Sequence, residues 1–388
     1  MIGFLVPAAF AAALAVAGSA AAAPIKIGLV STLSGPSAAL GVHMRDGFML
    51  GLKHAGGQLG GVETEVVTVD DELKPDVGVE KVKGLLERDR VDIVAGVVFS
   101  NVMGAVAKPV TDAEVFLISG NAGPSTLAGQ GCSPYFFSVS WQNDQMHEVL
   151  GKHAQDKGYK RVFLMAPNYQ AGKDSLAGFK RHFKGEIVDE VYTQLGQLDF
   201  SAELARIAAA KPDAVFTFMP GGMGVSLVKQ YRQAGLADTI PFLSAFTVDE
   251  TTLPATQADA LGMFSASQWT PGMDNEANKK FVADYEAEYG YVPSLYASQG
   301  YDLAMLIDSA VRKVNGDLSD KAAFRAALEA AEFTSVRGDF RFNTNHFPIQ
   351  DFYLVEAVKR DDGKYQTQIV EKVFDDYGDV YAAECRME

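Results

Sequence analysis

The feature of the sequence that most restricts its fold is a regular alternation of short apolar runs with amphipathic segments. The apolar runs are rich in Val, Ile, Leu and Phe, and the segments between them carry apolar residues at helical spacing. Strands that alternate with helices of about 10–15 residues favour parallel sheets built from right-handed βαβ units. The sequence therefore predicts an α/β fold.

The predicted strands form two series along the chain. The first series is 25–30, 65–70, 92–97 and 115–119, and the second is 161–166, 186–192, 214–219, 241–246 and 262–267. Both series start with a strand, a polar loop and the beginning of a helix, although their residues differ. Two α/β lobes side by side would bring two sets of strand carboxyl ends together, and open α/β sheets bind ligands at those ends. We therefore expect the binding site in a cleft between two lobes.

The last third of the chain departs from this alternation. Two helices are predicted near 276–290 and 295–315. Two β-like runs, 350–358 and 364–373, then follow each other closely, which indicates an antiparallel addition to one of the sheets.

The charge of the chain excludes two classes of partner. The formal net charge is -15 at pH 7. An acidic surface repels nucleic acid and anionic lipid, so neither is an expected partner. Such a surface does not attract an anionic small molecule either. Any anion site must therefore depend on the groups at the site itself and not on the overall charge.

The N-terminal residues have the composition of a secretory signal. Residues 2–23 are apolar and rich in Ala, and they end in an A-x-A pattern before Pro24. We therefore expect residues 1–23 to be a signal peptide that directs the chain to the periplasm. An uncleaved membrane anchor is the alternative. No other apolar run approaches the length of a membrane span.

The chain contains two cysteines, Cys132 and Cys385. An exported chain meets oxidising conditions, so one disulfide between them is expected. Two buried free thiols are the alternative.

The motifs of common catalytic and cofactor sites are missing from the sequence. The glycines of 35–41 and 220–224 lack the residues that complete a phosphate or dinucleotide loop. His147 and His153 are six residues apart, which places them on different faces of a helix and excludes a shared zinc ion. Ser119 lies in no nucleophile elbow. The sequence thus predicts no metal, no cofactor and no catalysis.

Hydrogen-bond donors follow two predicted strands of the first series. Ser100 and Asn101 come after strand 92–97, and the small polar stretch 118–126 follows strand 115–119. The N–H groups at a helix N-terminus can hold a carboxylate without Lys or Arg. Ser100 could also serve only as a helix cap, and the two roles can coexist.

In three motifs the sequence resembles the periplasmic solute-binding proteins of leucine/isoleucine/valine type, which serve ABC importers. The resemblance covers nearly all of the chain after residue 23. Three motifs carry it: an L-S-G-x-x-A-x-x-G pattern at Leu33, Ser34, Gly35, Ala38 and Gly41; a G-G-x-x-G pattern at Gly56, Gly57 and Gly60; and Asp70, Asp71 and Pro75.

The resemblance implies the type I periplasmic binding protein fold, with two Rossmann-like lobes and a three-strand hinge. One lobe is then expected to comprise 24–140 and 272–346, and the other 141–271 and 347–388. The family's members bind a small molecule in the cleft, close on it and deliver it to membrane permease subunits. We expect a monomer.

The resemblance also implies the ligand-binding residues. Ser100 aligns with the serine that binds the ligand carboxylate. The remaining positions expected at the ligand are Leu40, Phe99, Asn121, Ala122, Gly123, Tyr169, Gln170, Phe218, Phe246 and Tyr301.

One of these positions departs from the pattern of the amino-acid binders. The acidic residue that holds the ligand ammonium aligns with Phe246, although Asp249 and Glu250 lie just beyond it. A cation without a partner in a closed cleft would cost several kcal/mol. The departure therefore predicts a carboxylate ligand without an ammonium group.

Aromatic side chains could enclose the ring of such a ligand. Phe99, Phe218, Phe246 and Trp269 could supply flat apolar walls, or could be ordinary core residues. The chain resembles the subgroup that binds aromatic acids such as hydroxybenzoates and hydroxycinnamates.

Three other functions remain open from the sequence. The nearest alternative is a protein that binds a branched-chain amino acid or an amide. A sensory ligand-binding domain and a secreted hydrolase are the others, and the missing nucleophile–base pair argues against the hydrolase.

Overall fold

The computed structural model describes residue 2 and residues 23–387. The predicted signal peptide lies outside the described residues apart from Ile2 and Ala23. No helix in the described part of the chain is long and apolar enough to cross a membrane.

The strands of the protein are β1 (Ile25–Ser31), β2 (Gln58–Leu59), β3 (Val62–Asp70), β4 (Ile93–Gly96), β5 (Phe116–Ser119), β6 (Phe136–Ser138), β7 (Arg161–Pro167), β8 (Glu186–Thr193), β9 (Ala214–Phe218), β10 (Phe242–Ala245), β11 (Phe264–Ser267), β12 (Arg341–Phe342), β13 (Pro348–Lys359) and β14 (Tyr365–Tyr377). The α-helices are α1 (Ala38–His54), α2 (Pro75–Gly84), α3 (Ser100–Asp112), α4 (Ser125–Ala128), α5 (Asp144–Asp156), α6 (Gln170–His182), α7 (Ser201–Ala210), α8 (Gly222–Gln233), α9 (Leu253–Thr256), α10 (Glu276–Tyr289), α11 (Leu295–Lys313) and α12 (Lys321–Ala330).

The first sheet has the order β2-β3-β1-β4-β5-β6. Strand β1 runs parallel to β3 and β4, and β5 runs parallel to β4 and β6. Every residue of β4 and β5 is buried, as expected for parallel strands that have helices on both faces. Helix α11 packs along α1 beside this sheet, and α12 packs on α11. The late helices therefore belong with the early strands.

The second sheet has the order β12-β13-β11-β10-β9-β7-β8, and β14 pairs with β13. Strands β7 to β11 are mutually parallel, whereas β13 is antiparallel to both β11 and β14. Burial alternates along much of β13, because one face packs on the core and the other faces outward. The predicted α/β class and the antiparallel addition at the end of the chain are thus confirmed.

The chain passes between the two sheets three times within residues 23–387: after β6, after β11 and after α12. Arg337 stabilises this region, although it is almost completely buried. Its guanidinium donates to the carbonyl oxygens of Val139 and Ser140 at 2.6 and 3.2 Å and to the carboxylate of Asp302 at 3.0 Å. A further bond reaches Gln350 Oε1 at 2.8 Å. One side chain thereby joins two of the crossing segments.

Cys132 and Cys385 form a disulfide, with an S–S distance of 2.07 Å and Cα atoms 5.7 Å apart. The bond attaches the end of the chain to the loop after α4. Asn345 strengthens the same contact, because its Nδ2 donates to the carbonyl oxygen of Ala128 at 2.9 Å and to the carboxylate of Asp379.

Candidate functional site

A cavity lies between the carboxyl ends of strands from both sheets, and we refer to it as the central cavity. The space within it that protein atoms do not fill is about 350 Å³, a figure that includes space open to solvent. All of its lining residues are buried: Leu40, Val98, Phe99, Ser100, Asn121, Trp141, Asn143, His147, Tyr169, Ala171, Phe218, Pro220, Phe246 and Tyr296. None of them is acidic, and none is Lys or Arg.

The chain reaches the cavity through a sharp turn after β4. Gly96 has a φ of 101° and Val97 a φ of 65°, a conformation that a β-branched residue rarely adopts. This turn brings Phe99 and Ser100 to the cavity and starts α3 at Ser100. The N–H groups in the first turn of a helix have no intrahelical acceptor, so they are available to an anion.

The hydroxyl oxygen of Ser100 accepts a hydrogen bond from Asn143. Asn143 Nδ2 donates to Ser100 Oγ at 3.0 Å, and Asn143 Oδ1 accepts from the N–H of Gly123 at 3.1 Å. Because Ser100 Oγ already accepts this bond, its own hydrogen is free to donate into the cavity.

Asn121 contributes a second polar group to the same side of the cavity. Its Nδ2 donates to the carbonyl oxygen of Val98 at 2.6 Å. Its Oδ1 is buried and has no hydrogen-bond partner among the described residues.

Asp174, in α6, lies behind these polar groups and connects the two sides of the cleft. Its carboxylate accepts from Ser125 Oγ at 2.7 Å, from the Ser125 N–H at 3.1 Å and from Asn143 Nδ2 at 2.9 Å. Gln170 Nε2 donates to it at 2.8 Å. Burial, and to a smaller extent the charge of Asp144, raise the pKa of Asp174. Ser125 follows β5 of the first sheet and Asp174 follows β7 of the second, so these bonds span the cleft.

Aromatic rings form much of the cavity wall. The ring of Phe246 lies 4.7 Å from that of Trp141 and 5.6 Å from that of Phe218, measured between centroids. Tyr169 lies 6.3 Å from Phe99 and 6.1 Å from Phe218. Phe246 has a φ of 58°, a strained conformation for a residue with a side chain, and it follows β10 directly. These rings offer flat apolar surfaces to a ligand.

Three further polar groups lie among these rings: His147, Tyr169 and Tyr296. Burial lowers the pKa of His147 to about 3, so its imidazole is neutral at pH 7. Burial raises the pKa of Tyr169 and of Tyr296, so both phenols keep their protons. The cavity is therefore free of ionised side chains.

Seven of the eleven predicted ligand-binding residues line the cavity: Leu40, Phe99, Ser100, Asn121, Tyr169, Phe218 and Phe246. The prediction that these positions converge agrees with the structure, and their contact with a ligand stays a prediction.

The other predicted residues lie elsewhere. The Ala122 N–H donates to the carbonyl oxygen of Val97, and the Gly123 N–H is occupied by Asn143. A side chain at Gly123 would meet the carbonyl oxygen of Trp141 at 2.0 Å, so its glycine serves close packing. The side-chain nitrogen of Gln170 donates its hydrogen bond to Asp174.

Two predicted aromatic residues also lie away from the cavity. Tyr301 packs on Phe281 at 4.9 Å, and its hydroxyl lies 2.9 Å from His54 Nδ1. Five residues along a helix correspond to about 140° of rotation, so Tyr296 faces the cavity where Tyr301 does not. Trp269, predicted as a possible wall, instead donates from its indole to Asn278 Oδ1 at 2.7 Å.

Sequence reasoning missed four important lining residues: Trp141, Asn143, His147 and Tyr296. The first three lie where the chain crosses from β6 into α5. The run 141-WQNDQMH-147, which begins with a large aromatic residue and continues with polar residues directly before the second series, was the available signal.

The comparisons with known proteins agree with this fold. Residues 24–364 match the family described as periplasmic binding protein. The chain therefore belongs to this family, and it is a solute-binding protein of the kind that ABC transporters use. The family resemblance predicted from the motifs is confirmed.

Individual relatives differ in the ligands that their names mention. The Leu/Ile/Val-binding protein homolog 6 of Brucella melitensis is 28% identical over 372 residues, which are 94% of this chain and 95% of the relative. A solute-binding protein of an ABC transporter from R. palustris, solved in complex with benzoate, is 31% identical with a TM-score of 0.89; the match covers 94% of this chain and 100% of that one. Another, from Rhodopseudomonas palustris BisB5 in complex with 3,4-dihydroxybenzoic acid, is 30% identical with a TM-score of 0.85, covering 92% and 99%.

Proposed function

We propose that this protein captures an aromatic carboxylate in the central cavity and delivers it to the permease subunits of an ABC importer, working in the periplasm. The observation that carries the proposal is the composition of the cavity wall. Aromatic rings and neutral hydrogen-bond donors line it, and no ionised side chain does.

The donors are arranged to hold the carboxylate. Ser100 Oγ, which accepts one hydrogen bond from Asn143, lines the cavity at the N-terminus of α3 and would donate its hydrogen to the carboxylate. Hydrogen bonds to an ionised group are about twice as strong as those between neutral groups. An anion is thus held by neutral dipoles, and the acidic surface of the protein does not need to attract it.

An amino-acid ligand fits this cavity poorly, because no carboxylate in its wall pairs with an ammonium group. The two acids after Phe246 are not among the lining residues, although Asp249 Oδ2 is buried and has no hydrogen-bond partner among the described residues. Asp249 Oδ1 accepts from Thr251, through its N–H at 2.7 Å and its hydroxyl, and Glu250 Oε1 accepts from Thr367 at 2.6 and 2.7 Å. Neither carboxylate lines the cavity.

Relatives support the same ligand class. Two of the solved structures with about 30% identity contain benzoate and 3,4-dihydroxybenzoic acid. Closure of the two sides over the ring would expel water, and the ligand would act by binding the closed form more tightly than the open one.

The test is a thermal-shift and calorimetry screen of the purified mature chain. Benzoate and 4-hydroxybenzoate should raise the melting temperature, because a ligand at 100 times its Kd adds about 2.7 kcal/mol of stability. Benzamide is the matched control, since it keeps the ring but lacks the charge, and it should have little effect. Binding of leucine or isoleucine without binding of either aromatic acid would overturn the proposal in favour of an amino-acid binder.

A further inference from the structure

A second set of hydrogen-bonding groups, His147, Tyr169 and Tyr296, lies among the aromatic rings of the central cavity. Only 1% of the surface of His147 is exposed. Its ring lies 5.1 Å from Phe218 and 5.8 Å from Phe246, measured between centroids. Among the described residues neither ring nitrogen has a hydrogen-bond partner, and Nδ1 is fully buried.

An unpartnered imidazole in such a place needs an explanation. Buried polar groups in native proteins are almost always hydrogen-bonded, because an unsatisfied donor or acceptor keeps its full desolvation cost. Phe or Leu would fill this position among Phe216, Phe218 and Phe246 without that cost. A polar ligand group that enters the cavity would satisfy the imidazole.

The position of His147 relative to the carboxylate site indicates which ligand group this is. Asn143 and His147 are four residues apart at the start of α5, so they project from the same face of the helix. Four residues correspond to a rise of about 6 Å, comparable to the distance across a benzene ring with its substituents. A carboxylate held beside Ser100 and Asn143 would therefore place a ring substituent near His147.

The charge state of His147 also suits a neutral substituent. A protonated imidazole would attract the carboxylate and compete with Ser100 for it. Burial instead keeps the ring neutral, with one nitrogen that donates and one that accepts. A hydroxyl group, which both donates and accepts, matches either nitrogen.

We propose that His147 hydrogen-bonds a hydroxyl group on the aromatic ring, so that the protein prefers hydroxylated aromatic acids to unsubstituted ones. This inference rests on the proposed function and adds a specificity-determining residue to it. Tyr169 and Tyr296, which make no hydrogen bond through their hydroxyls to the described residues, line the same part of the cavity.

The experiment compares benzoate with its 2-, 3- and 4-hydroxy derivatives by calorimetry. The wild-type protein should bind the best hydroxy isomer at least about 10-fold more tightly than benzoate, since a site with unpaired polar groups discriminates against a ligand that lacks their partner. In His147→Phe this ratio should fall to about 1, because the variant has no group that pairs with the ring hydroxyl. His147→Gln, which keeps a donor and an acceptor, should retain part of the preference and guards against a folding defect in the Phe variant.

His43→Phe is the matched control. His43 is also buried, its pKa is also lowered to about 3, and its Nδ1 has no partner among the described residues, but it lies outside the cavity beside Tyr291. This variant should keep the wild-type ratio. Benzoate and hydroxybenzoates that bind equally to the wild type, or a preference that survives in His147→Phe, would overturn the role of His147 and leave the proposed function intact. If no aromatic acid binds the wild type at all, the proposed function fails as well.

Discussion

Asn143 Nδ2 lies 3.0 Å from Ser100 Oγ and donates a hydrogen bond to it. Two further hydrogen bonds hold the Asn143 amide in place. Its oxygen accepts from the Gly123 N–H, and its nitrogen also donates to Asp174. Ser100 is therefore oriented by a network that reaches both sides of the cleft. This orientation makes its hydroxyl a donor toward the cavity.

Removing the hydroxyl should weaken ligand binding and leave the fold intact. A hydrogen bond to a charged group contributes about 1.5–3 kcal/mol, so we expect Ser100→Ala to raise the Kd for an aromatic carboxylate about 10- to 150-fold. Calorimetry measures the change. Ser309→Ala, in α11 and outside the cavity, is the matched control and should bind like the wild type. An unchanged Kd in Ser100→Ala would remove this residue from the site.

Replacing Asn143 by Asp should be more damaging than loss of the Ser100 hydroxyl. The variant removes the donor to Ser100 and places a carboxylate beside Asp174 and within hydrogen-bond distance of Ser100 Oγ, the proposed carboxylate donor. Like charges in a site of low dielectric repel strongly. We expect a larger increase in Kd than in Ser100→Ala, and a partial recovery at low pH as the new carboxyl protonates. Binding equal to the wild type at pH 7 would contradict this.

Asp174 should stabilise the closed cleft. Its carboxylate accepts four hydrogen bonds, two of them from Ser125 on the opposite side. Asp174→Asn replaces one of the two acceptor oxygens by an NH₂ group, which then faces other hydrogen-bond donors. We expect weaker binding, by about 1–3 kcal/mol, and a larger radius of gyration of the ligand-bound form in X-ray scattering. Asp156→Asn, in an exposed pair with Lys152, should change neither quantity.

The fold could be predicted from the sequence because its parallel strands are buried on both faces. Strands such as β4 and β5 are therefore continuous apolar runs that stand out between amphipathic helices. The elements that were missed include β2, β6 and α12, and α12 was missed although its buried residues Phe324, Ala327 and Leu328 recur at helical spacing. Strands β2 and β6 are two and three residues long, too short for a periodic signal.

The site residues that the family resemblance implied and that line the cavity lie mostly at the carboxyl ends of strands. Phe99 and Phe218 lie at the carboxyl ends of strands, and parallel strands bring these ends to one edge of a sheet. Trp141 and Tyr296 come instead from a crossing segment and a late helix, whose rotation toward the cleft depends on tertiary packing. The sequence therefore predicts Tyr301 at the site, where the structure places Tyr296.

Glu250 should make the stability of the protein depend on pH. Burial, and to a smaller extent the charge of Asp249, raise the pKa of Glu250 to about 7 from its usual 4.5. The folded state then binds more protons than the unfolded state between these values, so the free energy of unfolding falls as the pH rises from about 4.5 to 7. Glu250→Gln keeps the oxygen that accepts from Thr367 but removes the charge.

The free energy of unfolding of Glu250→Gln should therefore equal that of the wild type near pH 4 and exceed it by up to about 3 kcal/mol at pH 8. Urea unfolding at the two pH values measures the difference. Glu80→Gln, at an exposed position of α2, should differ from the wild type by less than about 0.5 kcal/mol at both. A Glu250→Gln effect that is equal at pH 4 and pH 8 would show that the charge is not its cause.

Arg337 should be the most important single side chain for the segments that join the two sheets. Its four hydrogen bonds hold Val139, Ser140 and Gln350, and its partner Asp302 is fully buried. Removing one member of a buried ion pair costs about 3–5 kcal/mol, because the other charge remains without compensation. Arg337→Met should lower the free energy of unfolding by this amount, whereas Arg312→Met, in an exposed pair with Asp308, should cost less than about 1 kcal/mol.

The double variant Arg337→Met with Asp302→Leu separates the two parts of this cost. If most of the loss arises from the unpaired carboxylate of Asp302, the double variant should be more stable than Arg337→Met alone, even though it lacks a further native side chain. If instead the bonds from Arg337 to the Val139 and Ser140 carbonyl oxygens dominate, both variants lose these bonds and the double variant should gain nothing. Urea unfolding of both variants decides between the two outcomes. Ser335 also donates to Asp302 at 2.6 Å, so the carboxylate left by Arg337→Met is not fully isolated. We therefore expect the free energy of unfolding of the double variant to exceed that of Arg337→Met by about 1–2 kcal/mol.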